Sequence, residues 1–187
     1  MTSMNLVITV GGLHGTGKST YAKLLAEDLE LRHISAGELF RAVAKEKKIT
    51  LDEMNKITDN NPEIDNKIDQ RIKQEADKGN IILDGQLAAW MAGDKTVLKI
   101  LLIAPKEVRL KRIAKRDGIS LEEAEKRTLY REQIEKERYK KYYGIDVSDP
   151  SIYDLIVDTN LYPFEEMKKI IKKIVGDYVK EITKRKK

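Results

Sequence analysis

The feature that most constrains this chain is a glycine-rich segment between a short apolar run and an amphipathic helical pattern that continues to Leu29. It matches the pattern G-x-x-x-x-G-K-[ST] in full, in the strand–loop–helix context that the pattern requires. Water solvates the charges of a triphosphate well, so a protein must replace that shell with many donors at once. Curled glycine backbone turns successive N–H groups inward, and a helix N-terminus adds the positive end of its dipole. The segment therefore predicts a nucleoside triphosphate site formed by Gly12, Leu13, His14, Gly15, Thr16, Gly17, Lys18, Ser19 and Thr20.

Three side chains of this phosphate loop carry separate expectations. Lys18 is expected to reach the β- and γ-phosphates of the bound triphosphate. Ser19 is expected to offer its hydroxyl to Mg²⁺. For His14 we expect the backbone to matter more than the imidazole ring.

Composition excludes several other classes of site and partner. The 187 residues contain no cysteine and two histidines, so disulfides, thiol catalysis and histidine-rich metal sites are excluded. No apolar run approaches the ~20 residues that span a bilayer, and no secretory signal is evident, so we expect a cytoplasmic protein without a membrane partner. A net charge of +5 suits anionic ligands but is too small to indicate nucleic acid by itself. We expect a monomer that does not bind nucleic acid.

Short apolar runs alternate with helical patterns along the chain, which favours a parallel sheet covered by helices. The runs are nearly continuous in apolar residues, as is typical of strands buried on both faces. The predicted strands are residues 5–10, 31–34, 80–84, 97–104 and 153–158. The predicted fold is α/β, a doubly wound five-stranded parallel sheet with helices on both faces, similar to that of P-loop NTPases.

Two helical insertions interrupt this single predicted domain, at about residues 36–78 and 117–145. The core comprises about residues 1–35, 79–116 and 146–187. Capping boxes at Thr50 and Ser120 predict helix starts inside the insertions. Both insertions are rich in charge and poor in large apolar side chains, which favours mobile covers over a site.

Polar side chains follow the second and third predicted strands, whose carboxyl ends face the ligand crevice of a doubly wound sheet. Ser35 could serve the site or, with Glu38, cap the next helix, and the sequence does not separate the two. Arg41 lies one and a half turns into that helix, where a guanidinium can bind an acceptor phosphate. Asp84 is expected to face nucleotide-bound Mg²⁺ through water, with a turn-forming role as the alternative.

Two sets of arginines each share one helix face. The first set is Arg112 and Arg116, and the second is Arg127, Arg131 and Arg138 together with Glu135. Neighbouring positive charges destabilise a helix unless negative charge neutralises them. The phosphoryl group that migrates during phosphoryl transfer carries that negative charge. The alternative is a solvent-exposed lattice in which Glu123, Glu132 and Glu135 pair with these arginines.

The chain resembles the nucleoside monophosphate (NMP) kinases, and most closely the cytidylate kinases of the archaeal type. The resemblance covers nearly the whole chain and rests on residues 12–20, 35–41, 84–90, 112–117, 131–138 and 143–146. The spacing Arg131-Glu132-x-x-Glu135-x-x-Arg138 is similar to a signature that cytidylate kinases carry at their lid. The family implies transfer of the γ-phosphoryl group of ATP to CMP or dCMP, giving CDP or dCDP and ADP. Residues 36–78 would then be the NMP-binding insertion, and 117–145 the lid.

The resemblance also implies roles for single residues on the acceptor side. Arg41, Arg131 and Arg138 would hold the acceptor phosphate and the transferring group, and Glu135 would face the acceptor ribose. The residues implied in binding the monophosphate are Ser35, Arg41, Gly85, Gln86 and Glu135.

On the donor side, Arg112 would lie against the adenine of ATP and Arg116 on its phosphates. The residues implied in catalysis are Lys18, Asp84, Arg116, Arg131 and Arg138, with Ser19 and Asp84 at the metal.

One position departs from the family pattern. Members commonly have arginine two residues after the strand-end acid, where this chain has Gln86. An amide can still bond a phosphate or a base edge, but it brings no charge, so another arginine would have to compensate. Glu132 and Glu135 stand where bacterial relatives favour aspartate, which changes reach more than charge.

These motifs do not determine which base is accepted. Cytosine needs an acceptor for its amine and a donor for its carbonyl. Asp65, Asp69 and Arg71 could supply them, and Asp69 is a candidate NMP-binding residue, although surface charge on a polar helix is the favoured interpretation of all three. Trp90 could stack on a base, but a core position is favoured.

Two alternatives stay open. The nearest is the same chemistry on AMP, UMP or a small acceptor such as dephospho-coenzyme A. The other is an ATP-switched, RNA-associated assembly factor, whose basic face would comprise Lys168, Lys169, Lys172, Lys173 and the C-terminal tail. We favour the solvated side of an amphipathic helix for those lysines.

Overall fold

The computed structural model describes residues 5–185. Its five strands are β1 (Val7–Gly11), β2 (Arg32–Ser35), β3 (Ile81–Asp84), β4 (Leu98–Ile103) and β5 (Leu155–Asp158). All pair in parallel, in the order β2-β3-β1-β4-β5. The predicted five-stranded parallel sheet is therefore confirmed. Residues 1–4 of the predicted core, and Lys186 and Lys187 of the basic tail, lie outside the described residues.

The helices connect and cover these strands. They are α1 (Lys18–Asp28), α2 (Ala36–Glu46), α3 (Leu51–Asn60), α4 (Glu63–Lys78), α5 (Ala88–Ala92), α6 (Lys106–Asp117), α7 (Leu121–Tyr143) and α8 (Phe164–Arg185). A short 3₁₀ turn spans Gly93–Lys95. No helix among residues 5–185 is long and apolar enough to cross a membrane.

Both faces of the central strands are buried, because neighbouring residues of a strand point to opposite sides. Ile82 of β3 belongs to the cluster that α1 and α8 form on one face of the sheet. Its neighbours Ile81 and Leu83 belong to the cluster that α4 and α5 form on the other face. This arrangement explains the continuous apolar runs in the sequence.

The insertion at residues 36–78 comprises α2, α3 and α4 and contains a small core of its own. Phe40, Ala44, Met54, Ile64 and Ile68 form this cluster. The predicted helix start at Thr50 is confirmed by a complete capping box with Glu53, and the Ser120 hydroxyl caps α7.

The strand register brings the candidate site residues to one edge of the sheet. Val10, the last residue but one of β1, pairs with Asp84, and Ser35 at the end of β2 pairs with the same residue. The segment after β1, the start of α2 and the turn after β3 therefore meet at the carboxyl edge, where ligands bind in open α/β sheets.

Candidate active site

The phosphate loop has a backbone that only glycine tolerates at two positions. Gly12 has φ +134°, and a Cβ there would lie 2.2 Å from the carbonyl oxygen of Leu102. Gly15 has φ +80°, and a Cβ there would lie 2.6 Å from the carbonyl oxygen of Arg109. The glycines thus allow the loop to lie directly against β4 and α6 before α1 begins at Lys18.

Lys18 lies over this loop with its ammonium group held in place. Its Nζ donates to the carbonyl oxygen of Leu13 over 2.8 Å. Burial lowers the pKa of Lys18 to about 8, against the opposing attraction of Asp84 and Glu135. An ammonium group held in this way is ready to exchange a carbonyl for a phosphate oxygen.

Asp84 is buried at the end of β3, where it accepts two hydroxyl hydrogens. Ser19 Oγ and Ser35 Oγ each donate to Asp84 Oδ1 over 3.1 Å. Ser35 also accepts from the backbone N–H of Glu38 over 3.3 Å, so it both caps α2 and contacts the candidate metal ligand. The oxygens of Ser19 and Asp84 are a donor set that fits Mg²⁺, which takes one or two protein ligands and completes its shell with phosphates and water.

A cleft of about 1350 Å³ brings most of the predicted residues together. It is lined by His14, Gly15, Gly17, Lys18, Ser19, Thr20, Ser35, Arg41, Asp69, Asp84, Gly85, Gln86, Arg112, Arg116, Arg131, Glu135 and Arg138. Gly12, Leu13 and Thr16 do not line it. They face a second cavity of about 590 Å³ on the opposite side of the loop, between β4 and α7.

The arginines of α6 occupy two different settings at this cleft. Arg112 donates to the hydroxyl and carbonyl of Thr159 over 2.8 and 3.0 Å, and to the Gly15 carbonyl over 3.3 Å. Arg116 is exposed and forms a bidentate pair with Asp117 over 2.7 and 2.8 Å. Arg112 is thus fixed beside the phosphate loop, whereas Arg116 is held at the mouth of the cleft.

The arginines of α7 divide between solvent and cleft. Arg127 lines the outer part of the cleft and pairs with the exposed Glu123, as the lattice alternative predicts. Arg138 is buried, with Nε 2.8 Å from Asp65 Oδ2 and Nη1 donating to Thr58 Oγ1 over 2.7 Å. Arg138 therefore joins α7 to the insertion that contains α3 and α4.

Glu135 connects three parts of the cleft. Its Oε2 accepts from His14 Nε2 over 2.7 Å and from Gln86 Nε2 over 2.5 Å, and its Oε1 accepts from Arg131 Nε over 2.7 Å. Burial alone would raise the pKa of Glu135, but the adjacent His14 and Arg131 hold the pKa well below its ordinary value. Burial lowers the pKa of His14, against the opposing attraction of Glu135. Because a carboxylate oxygen only accepts, His14 Nε2 carries the hydrogen of this bond. The imidazole, which the sequence analysis set aside in favour of the loop backbone, is thus a direct contact of α7.

The interpretation of the acids of α4 as surface charges was wrong for Asp65 and Asp69. Both are buried and line the cleft, Asp65 beside Arg138 and Asp69 accepting from Tyr143 Oη over 2.5 Å. Burial also raises the pKa of Asp69. Their partners Arg138 and Tyr143 belong to α7, which is distant in sequence, so the pattern of α4 alone does not identify them. Arg71 instead pairs with Glu75, away from the cleft.

Three further residues contact the phosphate loop or Asp84 and were not singled out from the sequence. Arg109 is buried and donates to the His14 carbonyl over 2.8 Å and to Glu132 over 2.6 Å, and Thr159 donates to the Thr16 carbonyl over 2.9 Å. His33 lies 2.6 Å from Asp84. Sequence spacing could have indicated two of them. Arg109 lies three residues before Arg112 and so shares its helix face, and His33 lies two residues before Ser35 and so shares its strand face.

The lysines of α8 lie on the solvated side of their helix, as favoured, whereas Trp90 does not belong to the buried core. Trp90 is half-buried on α5 and packs edge-on against Tyr153, outside the cleft. The lysines of α8 form exposed pairs, Lys168 with Glu165, Lys172 with Asp28 and Lys173 with Asp177.

Comparison with known proteins points to one family. A sequence model of the cytidylate kinase-like family matches residues 7–161. The cytidylate kinase of Methanopyrus kandleri is 45% identical over 181 residues, which cover 92% of this chain and 94% of that protein. The cytidylate kinase of Pyrococcus horikoshii is 46% identical over 167 residues, which cover 89% of this chain and 86% of that protein. Shikimate kinase from Bacteroides thetaiotaomicron has a similar structure, with a TM-score of 0.60 at 16% identity over 91% of this chain and 98% of that one, a similarity of fold alone.

Proposed function

Because the chain belongs to the cytidylate kinase-like family, we propose that it transfers the γ-phosphoryl group of ATP to CMP or dCMP. The bond between the γ-phosphorus and the β–γ bridging oxygen breaks, and a bond to an oxygen of the acceptor phosphate forms, giving ADP and CDP or dCDP. The observation that carries the proposal is that one cleft has a phosphate loop on one wall and inward-facing arginines of α7 on the other.

The donor would lie on the phosphate loop. Its triphosphate would take the loop N–H groups and the Lys18 ammonium, and Arg116 would swing from Asp117 onto the phosphates. Arg112, fixed by Thr159, would lie against the adenine. Ser19 and Asp84 would hold Mg²⁺, which when bound neutralises phosphate charge during transfer.

The acceptor would lie between the insertion at 36–78 and α7, which would act as the NMP-binding part and the lid. Arg41 lines the cleft and would bind the acceptor phosphate together with Arg131. Arg138 would complete this clamp from its pair with Asp65. Ser35, Gly85 and Asp69 would line the nucleoside.

Catalysis would be mainly positioning and electrostatic stabilisation. The transferring group spreads its charge over three oxygens, which cationic side chains from both walls would stabilise. Closing α7 over the two nucleotides would exclude water, which could otherwise accept the phosphoryl group. No general base is needed in this scheme. We further propose that the protein acts as a cytoplasmic monomer.

A coupled assay with CMP, dCMP, UMP, AMP and dephospho-coenzyme A tests the substrate. We expect kcat/KM for CMP or dCMP to exceed that for AMP at least ~10-fold, because a site that hydrogen-bonds one base leaves polar groups unpaired with another. Equal rates with AMP and CMP would contradict the assignment. RNA binding that depends on salt and survives saturation with ATP and CMP would favour the assembly-factor alternative.

Lys18→Ala tests the phosphate loop in the same assay. We expect kcat/KM to fall by roughly three orders of magnitude, because the lost contact stabilises charge in the transition state. The matched control is Lys23→Ala, which removes an exposed lysine of the same helix that pairs with Glu38. Similar losses in both variants would count against a specific role for Lys18.

A further inference from the structure

His33 makes a close contact with the candidate metal ligand that the proposed mechanism does not use. Its Nε2 lies 2.6 Å from Asp84 Oδ2, and the two side chains are 12% and 2% exposed. Because a carboxylate oxygen only accepts, Nε2 carries the hydrogen of this bond.

The sheet itself creates the contact. β2 and β3 are neighbours, and Ser35 pairs in register with Asp84. Side chains two residues apart on a strand share a face, so His33 and Ser35 point to the same side of β2. Ser35 and Ser19 donate to Oδ1 of Asp84, and His33 donates to Oδ2. Three donors, two from β2 and one from α1, thus hold one buried carboxylate.

We propose that His33 is a positioning residue for the magnesium site: it holds Asp84 Oδ2, so that Oδ1 is aimed at the Ser19 hydroxyl beside the ion. The proposal rests on the proposed function, since it needs a magnesium–nucleotide complex on the phosphate loop. Partners that orient a metal-binding carboxylate are typically worth 10- to 100-fold in metal affinity. With Oδ2 engaged by His33, Asp84 would act on the ion through Oδ1 and ordered water.

A histidine that merely fills space beneath the cleft would behave differently. Its replacement would lower stability and weaken every nucleotide complex alike. A positioning role predicts instead a loss confined to complexes that contain magnesium.

Titration calorimetry of ATP binding, with excess Mg²⁺ and separately with EDTA, distinguishes the two. The variants are His33→Gln, whose amide nitrogen can reach the place of Nε2, and His33→Asn, whose amide nitrogen is too short to do so. We expect His33→Asn to bind ATP with Mg²⁺ at least ~10-fold more weakly than the unaltered protein, and ATP with EDTA within about twofold. His33→Gln should recover most of the loss.

Two further variants complete the test. Thr9→Val is the control. Thr9 is buried in β1, next to the strand that ends at Asp84, and its hydroxyl has no hydrogen-bond partner among residues 5–185. It should leave both affinities unchanged. In a double-mutant cycle, adding His33→Asn to Asp84→Asn should weaken binding of ATP with Mg²⁺ little further, because both substitutions act through one carboxylate.

Equal weakening of both ATP complexes by His33→Asn, or a lowered melting temperature with both affinities unchanged, would overturn the positioning role. An unaltered protein that binds ATP equally well with Mg²⁺ and with EDTA would overturn the magnesium site itself, and the inference with it. If the unaltered protein phosphorylates CMP but His33→Asn binds ATP with Mg²⁺ as tightly as the unaltered protein does, the inference fails while the proposed function stands.

Discussion

Gln86 has a structural role in the cleft, as a hydrogen-bond donor to a buried carboxylate, that its residue type alone does not indicate. It stands where related kinases commonly have arginine, but its amide donates to Glu135 at 2.5 Å. Glu135 already accepts from Arg131 and His14, so its charge is matched without a second guanidinium. The contact makes Gln86 a link between the turn after β3 and α7, in place of the phosphate contact that an arginine would make.

Gln86→Leu should therefore impair closure of α7 over the acceptor. We expect KM for CMP to rise roughly tenfold and KM for ATP to change less than about twofold, because a buried carboxylate loses one of its donors. Steady-state kinetics with each substrate varied in turn measure both constants. The control is Gln133→Leu, since Gln133 bonds Glu137 on the exposed side of α7. An equal rise of KM for ATP would contradict this role.

At the scale of elements, α7 is the helix that organises the cleft. Its 23 residues begin at the Ser120 cap, and one face contacts the phosphate loop, α6 and the insertion. Three of its four buried residues, Thr128, Glu135 and Arg138, are polar, and Arg138 forms a buried ion pair with Asp65. A buried ion pair contributes little net stability, but removing one partner leaves an unpaired buried charge and destabilises the protein. This pair therefore fixes the position of Arg138 more than it stabilises the fold.

Asp65→Asn should release Arg138 from that position. We expect KM for CMP to rise about tenfold or more with KM for ATP nearly unchanged, because Arg138 is proposed to bind only the acceptor side. The measurement is the same pair of steady-state titrations, with a thermal melt to show that the variant is folded. Glu125→Gln, which removes the exposed partner of Lys106 from the same helix, is the matched control. An unchanged KM for CMP in Asp65→Asn would rule out this coupling.

At the scale of the whole molecule, a buried acid joins the sheet to the insertion on the side away from the cleft. Glu75 of α4 is 1% exposed and accepts from Lys78 at 2.7 Å and from Arg32 at the start of β2. It also forms an ion pair with Arg71 at 3.0 Å. Hydrogen bonds from Lys78 and Arg32 lower the pKa of Glu75 to about 2. The ionised form therefore belongs to the folded protein.

Glu75→Gln should lower the free energy of unfolding by about 1–3 kcal/mol at pH 7. Because the folded pKa of Glu75 lies below its ordinary value of 4.5, its contribution is complete above about pH 4.5 and is lost as pH falls towards 2. Urea unfolding at pH 7 and at pH 3 measures the difference, which should shrink at the lower pH. Glu63→Gln, an exposed acid of α4 paired with Lys67, should change little at either pH. A difference that is equal at both pH values would contradict the account.

Much of this architecture was predictable because its signals are local. The phosphate loop is encoded by glycines at positions where a side chain would clash with the backbone, and each predicted strand overlaps an observed one because burial on both faces leaves a continuous apolar run. The cap at Thr50 is equally local. Strand ends were less accurate: Tyr153, predicted inside a strand, precedes β5 and packs over Gly11.

The sequence by itself determined the α/β class, the order of helices and strands and the place of the loop, since backbone conformation and periodicity depend on near neighbours. Only the tertiary structure decided which polar side chains face the cleft. Asp65 and Asp69 face the cleft while Arg71 faces away from it. His33 on β2 contacts Asp84 on the neighbouring strand β3. The direction of a side chain depends on how its helix or strand packs against elements distant in sequence, and composition does not encode that rotation.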